Sequence, residues 1–217
     1  MRPRNRKRHF VLDLFACFLI PVYTLSFAGS TEWFGSNFSV LAVTGRDHYR
    51  GFLYWGLLAG SYFFVVVNRL AFSLPGQWAR LAVSWLVLAA CLALGYALAI
   101  PYLPDYFPRF AALHVGLAAG ACALLMLALL VLLLALRRSR PEQYGRLLMA
   151  WGLIVLGCAV LFFIPGMVST ALEVFFTIST ALLARKLYLV RARICKKRAC
   201  QILCFFNLIP RMFSILP

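Results

Sequence analysis

Glu173 and His114 are the side chains with the most chemical scope in this sequence, because each is an ionisable group at the edge of or inside an apolar run. A carboxyl within a membrane span costs on the order of 2.5–3.5 kcal/mol on insertion scales, so it faces a partner, a cavity or a neighbouring helix rather than lipid. Glu173 shares a helical face with Thr170, Thr177 and Thr180, at offsets of three, four and seven residues. Threonines on such a face ordinarily hydrogen-bond their own helix or a neighbour. That accounts for the hydroxyls and leaves the carboxylate to be protonated, paired with Arg109 or His114, or solvated through an opening. His114 follows the turn Pro108-Arg109-Phe110, and its imidazole is either a packed, hydrogen-bonded ring or a general base. Asp13, the other carboxylate inside an apolar run, reads as half of an ion pair with Arg4, Arg8 or the arginines of the 137–146 connection.

The elements that must position these groups follow from composition. The chain has 217 residues, 64% of them hydrophobic and 13% charged, and a mean hydropathy of +0.87. This is more apolar surface than a soluble core can bury. A helix crossing about 30 Å of hydrocarbon needs about 20 apolar residues, since no water is there to satisfy its backbone. Six stretches qualify: Phe10 to Ala28, Gly51 to Phe72, Arg80 to Pro101, Phe110 to Leu136, Leu147 to Pro165, and Val168 to Val190. The expected fold is therefore all-α, a polytopic transmembrane bundle of six helices over residues 1–190, followed by a basic tail at 191–217.

Charge sets the expected orientation. The net charge of +16 would suit a nucleic-acid binder if it were spread over one soluble face, but it falls between and beyond the apolar runs, so no nucleic acid is expected. Of the 22 Lys and Arg, all but Arg46, Arg50 and Arg109 fall on one side of the six-span arrangement. By the retention of positive charge in cytoplasmic loops, both termini are expected to be cytoplasmic in a multi-pass cell-membrane protein. A cleavable signal ending at Ser26-Phe27-Ala28 is the rival reading of the start, against which stand Asp13 and Pro21 within the run. The tail's Arg191, Arg193, Lys196, Lys197 and Arg198, with Phe205 and Phe206 beyond them, suit an interfacial helix on the anionic cytoplasmic leaflet.

The opposite side then gathers most of the remaining polar chemistry: Glu32, Asn37, Arg46, Asp47, His48, Arg50, Asp105, Arg109, His114 and Glu173. Its first connection, from about Gly29 to Arg50, is long for a compact bundle. Trp33, Phe34 and Phe38 argue that it folds back over the bundle mouth. Asn37-Phe38-Ser39 matches a glycosylation acceptor, a weak motif. Gly56 and Gly60, and Gly116 and Gly120, have the small-xxx-small spacing of closely approaching helices. With only His9, His48 and His114, and without phosphate-loop or metalloprotease fingerprints, no metal or other cofactor is expected. Cys17, Cys91, Cys122 and Cys158 read as small apolar helix residues; Cys195, Cys200 and Cys204 of the tail are not expected to form a disulfide in a reducing compartment, zinc lacks an evident fourth ligand there, and palmitoylation is the alternative.

The basic N-terminus, the long first loop with Asn37-Phe38-Ser39-Val40-Leu41, the Phe52 to Gly56 helix start and the histidine after a proline-rich turn resemble bacterial membrane proteins of the domain of unknown function 998 family. More distantly, the pattern is similar to the damage-regulated autophagy modulator and Sfk group. The resemblance covers residues 10 to 190 and implies a six-helix bundle, associated in eukaryotic relatives with lipid handling, lipid asymmetry or glycolipid-anchor maturation. It implies no settled activity.

Three functions follow from these residues. In the first, membrane lipids are the partner: Arg46, Arg50 and Arg109 contact a headgroup phosphate while His114, Asp105, Glu173, Asn37, Thr170 and Thr177 line the pocket. In the second, His114 and a carboxylate act as base and orienter in a lipid hydrolase or transferase, for which the sequence singles out no nucleophile. In the third, the threonine–glutamate stripe lines a small-solute or ion path, although no inverted repeat or broken helix pair is evident. A homo-oligomer is left open.

Overall fold

The structure, a computed structural model, describes residues 10–29 and 31–213, with side chains described as far as 194. The basic residues before Phe10 and the tail side chains, including Cys195, Cys200 and Cys204, lie outside the described residues. Seven helices follow in order: α1 (Phe10–Ala28), α2 (Phe38–Val43), α3 (Arg46–Ala71), α4 (Gln77–Ala99), α5 (Pro108–Arg137), α6 (Pro141–Phe163) and α7 (Thr170–Phe213). Among the described residues there is no strand.

Five of these, α1, α3, α4, α5 and α6, are long and apolar enough to cross a membrane. The chain is thus compatible with a multi-pass integral membrane protein. The sixth expected span, 168 to 190, lies in α7, which is not among the helices apolar enough to cross: Glu173 stands in its first turn, and Arg185 and Lys186 follow about four turns into the helix. Nor does a break separate this segment from the tail: α7 runs on without interruption past Val190.

Local chemistry sets the helix ends. Pro108 and Pro141 occupy the first helical positions of α5 and α6, where a missing N–H costs nothing. Within α1, Pro21 would leave a carbonyl one turn earlier without its donor; the helix widens to a π turn at Phe15–Leu19, and the Ile20 N–H bonds to Phe15 O. After α6 the chain reverses at Gly166, whose φ of +69° suits a residue without a Cβ. At the end of α4, Ile100 precedes Pro101, and the proline ring drives it out of the helical region to φ −93°, ψ 114°. Its carbonyl is consequently turned away from the helix.

Helices α3, α4, α5, α6 and α7 pack in sequence around a ring that α3 and α7 close, and α1 lies in the groove between α3 and α7. In lipid the apolar effect gives no drive between helices, so close fit and interhelical hydrogen bonds must hold them. Tyr62 Oη donates to Ala181 O at 3.2 Å, Trp151 Nε1 to Met126 O at 3.1 Å and Trp55 Nε1 to Thr24 Oγ1 at 3.2 Å. Asp13 pairs with Arg185, whose Nε lies 2.7 Å from Oδ1. This corrects the expected partners: α1 packs beside α7, so a cation of the last helix is nearer than the 137–146 connection. At the same end, Arg191 binds Ser73 through both Oγ and the carbonyl.

The glycine pairs behave differently from each other. A Cβ on Gly56 would meet Leu98 and one on Gly60 would touch Leu94, so α3 and α4 do approach closely there. Nothing lies within 4 Å of a Cβ at Gly116 or Gly120, so the expectation of a packed glycine face on α5 is incorrect. Spacing alone does not report which face of a helix is turned inward.

One half of the ring is solid. Val66, Val67, Leu129, Leu132, Leu133 and Leu187 are fully buried against one another. The other half is hollow.

Candidate functional site

The hollow half is a cavity of about 600 Å³ enclosed by α3, α4, α5, α6 and α7. Its walls are apolar: Phe63 and Ala59 on α3, Leu94 on α4, Met126 on α5, Phe162 on α6 and Phe176 on α7. On the side formed by α5 and α6, the lining residues Val115, Val155, Phe162 and Phe163 remain exposed, so the cleft between these helices is its open flank. At one end stand the polar groups Asn37, Ser39, His114 and Glu173.

The roof is built by the connection between α1 and α3. Asn37 caps α2 by accepting from Val40 N–H at 2.9 Å, while its amide donates to Val168 O at 3.3 Å. Phe38, fully buried, packs edge-on against Phe27 and Trp55, with both centroid separations 5.0 Å. Aromatic edge-to-face pairs at such distances add roughly 0.5–1.5 kcal/mol beyond burial. The segment is further clasped to the start of α7: Thr170 N–H and Oγ1 donate to Ser36 O, at 2.7 and 3.0 Å, and Ala171 N–H donates to Trp33 O at 2.9 Å. These carbonyls satisfy donors that the first turn of any helix leaves unpaired. Glu173 answers in the opposite direction, its Oε2 accepting from Phe38 N–H at 2.6 Å. Two helix starts thus cap each other.

His114 is 2% exposed and is held at both ring nitrogens. Nδ1 lies 2.8 Å from Ile100 O, the carbonyl that Pro101 turned out of α4. A carbonyl only accepts, so Nδ1 carries the hydrogen; in the neutral ring Nε2 is then the acceptor for the Ser39 hydroxyl, 2.7 Å away. Phe52 and Tyr102 flank the ring, with centroids 6.5 and 5.7 Å distant.

The expected site residues divide into two groups. Glu173, His114, Asn37 and Thr177 all line the cavity, and Thr170 is buried beside it in the clasp on Ser36. Arg46, Arg50, Asp105 and Arg109 are exposed and line no part of it. Arg50 instead pairs with Asp47 one turn away, at 3.6 Å. Neither Arg109 nor His114 is the partner of Glu173, and the group that orients His114 is a backbone carbonyl rather than a carboxylate.

In the sequence Ser39 stands out only as the third residue of a glycosylation acceptor. Its signal is a contact across 75 residues, which one sequence does not display. The Asn37 amide and Ser39 hydroxyl are both engaged in the folded roof, so a glycan there would have to break it. Cys91, Cys122 and Cys158 also line the cavity, and no group of three metal-ligating side chains occurs among the described residues.

Comparison with family models, with curated proteins and with solved structures finds no match for this chain.

Proposed function

We propose that this is a six-pass membrane protein, both termini cytoplasmic, that admits a lipid acyl chain between α5 and α6 and holds the adjoining polar part of the lipid against Asn37, Ser39, His114 and Glu173. The observation that carries the reading is the cavity itself: about 600 Å³, apolar-walled, polar at one end. Ligand pockets occupy roughly 300–1,000 Å³ and combine apolar walls with a few convergent polar groups. The resemblance to the domain of unknown function 998 family belongs to the same proposal.

The absence of lysine and arginine from its described lining shapes the ligand class. A phosphate headgroup calls for a cation or an array of N–H donors, so the pocket suits an uncharged, ester-linked or hydroxylated region of a lipid better. Transport is disfavoured by the solid half of the bundle. Beyond Thr177 the buried Thr180 Oγ1 lies 4.0 Å from Met126 Sδ, and Val66, Val67, Leu129 and Leu133 fill the space below.

Trp55 supplies the test, since it lines the cavity and packs beneath Phe38. A variant retaining Trp55 as its sole tryptophan, reconstituted in vesicles of phosphatidylcholine with brominated acyl chains, is expected to show quenched fluorescence. Filling the cavity by Cys122→Phe is expected to remove most of that quenching. Quenching that is absent, or indifferent to Cys122→Phe, would show that no acyl chain enters.

A further inference from the structure

We infer that Ser39 is a nucleophile activated by His114, and that the cavity's ligand is an acyl ester which Ser39 attacks; this rests on the acyl-chain reading above. A serine hydroxyl is a weak nucleophile until a base within hydrogen-bond reach takes its proton and a third group fixes that base's orientation. All three parts are present. Ser39 Oγ is 2.7 Å from Nε2, and Ile100 O receives the Nδ1 hydrogen at 2.8 Å, which leaves the Nε2 lone pair directed at the hydroxyl. The role that a carboxylate plays in the familiar triad is filled here by a carbonyl freed by Pro101.

A hydrogen bond of this kind could serve only to pin a loop, but its location says more. The pin lies at the edge of the aromatic cluster, where Phe52 flanks the His114 ring, and apart from the clasp of Ser36 and Trp33 on α7. Ser39 and His114 both open onto the apolar cavity, at the end where a chain held between the helices presents its ester. Glu173 fixes the preceding residue, Phe38, through its N–H and so sets the position of Ser39 from the backbone side. It is a positioning residue and takes no part in proton transfer.

The chemistry balances with water as the co-reactant. Ser39 Oγ adds to the ester carbonyl carbon while its proton passes to His114 Nε2. Collapse of the tetrahedral adduct breaks the carbon–oxygen bond to the alcohol, which leaves with that proton, and the acyl group stays on Ser39. Water then attacks the acyl carbon, giving a proton to Nε2; Ser39 leaves and recovers it, and a fatty acid is released.

The test uses the full chain in phosphatidylcholine vesicles and a long-chain alkyl fluorophosphonate as the probe, with labelled peptides identified by mass spectrometry and Trp55 quenching by brominated chains measured in parallel. Phosphonylation is expected at Ser39, absent in Ser39→Ala and slowed on the order of a hundredfold or more in His114→Asn and His114→Gln. Neither amide can act as the base, although each can donate to Ile100 O. If Ser39 stays unmodified while Trp55 is quenched, or is labelled equally with and without His114, the nucleophile is refuted and chain binding stands. If Trp55 is not quenched in the unaltered protein, chain binding falls, and this inference with it.

Discussion

Glu173 Oε2 and the backbone N–H of Phe38, 135 residues apart, meet at 2.6 Å. Glu173 lies in the first turn of α7, where a carboxylate also complements the positive end of the helix. Its cost inside an apolar run is offset by satisfying a donor at the start of α2 that would otherwise be buried and unpaired. A buried unpaired donor costs about 1–3 kcal/mol. Glu173→Gln, which keeps an acceptor, is therefore expected to unfold in detergent close to the unaltered protein, and Glu173→Leu several degrees lower. Equal midpoints for Leu and Gln would show that the hydrogen bond contributes nothing.

The ion pair between Asp13 and Arg185 joins the first helix to the last at 2.7 Å. Both side chains stay partly exposed, and because they share one bond Asp13→Asn and Arg185→Gln are not expected to add independently. A double-mutant cycle read by thermal unfolding should give a coupling of about 0.5–1 kcal/mol. A coupling near zero would mean that the two side chains act separately.

Gly56 and Gly120 respond oppositely to the same change. The methyl of Gly56→Ala meets Leu98, whose side chain is itself packed in the roof cluster; an overpacked core loses roughly 1–3 kcal/mol. At Gly120 the added methyl meets nothing within 4 Å, and helix propensity alone favours alanine by up to about 1 kcal/mol. Thermal midpoints of the two variants should fall on opposite sides of the parent. The same sign for both would contradict this packing of α3 on α4.

Arg46, Arg50 and Arg109 are exposed and away from the cavity. Replacing all three by alanine is expected to leave the quenching of Trp55 by brominated chains within about a factor of two, since distant exposed charges act on arrival at a site more than on residence in it. A loss of tenfold or more would restore the headgroup-phosphate reading.

The proposed six crossings with cytoplasmic ends would place the α2–α3 link outside and the α5–α6 link inside. In a background lacking native cysteines, a membrane-impermeant maleimide added to intact cells should label a cysteine at Thr44 and spare one at Ser139. The reverse pattern, or labelling of both, would overturn the proposed topology.

Helical class and most of the helix limits were legible because they depend on local signals: apolar length, prolines at first helical positions, charge in the connections. The cavity-lining quality of Glu173 and His114 was legible too, since an ionisable group in an apolar run has few places to point. What each one touches was not. Glu173 bonds to a backbone amide, and every residue but proline has one, so no sequence feature marks Phe38 as the partner. The arginines of the 46–50 and 109 segments were drawn into the pocket by charge complementarity. Their long stems reach water at lower cost than they would reach an apolar recess. Gly116 and Gly120 show the same limit from the packing side: spacing gives a face, and only the fold gives what that face meets.

The mutual capping of α2 and α7 has a consequence for biogenesis. Residues 31 to 45 leave the ribosome early, yet the carbonyls of Trp33 and Ser36 and the amide of Phe38 gain their partners only when Thr170, Ala171 and Glu173 have been synthesised. Until then the loop is seated by Phe38 on Phe27 and Trp55 and by Ser39 on His114, but those three backbone groups lack their partners and the hollow lacks the wall that α7 supplies. Completion of the compartment is thus timed to the last helix, and a chain truncated before Val168 would be inserted but unfinished.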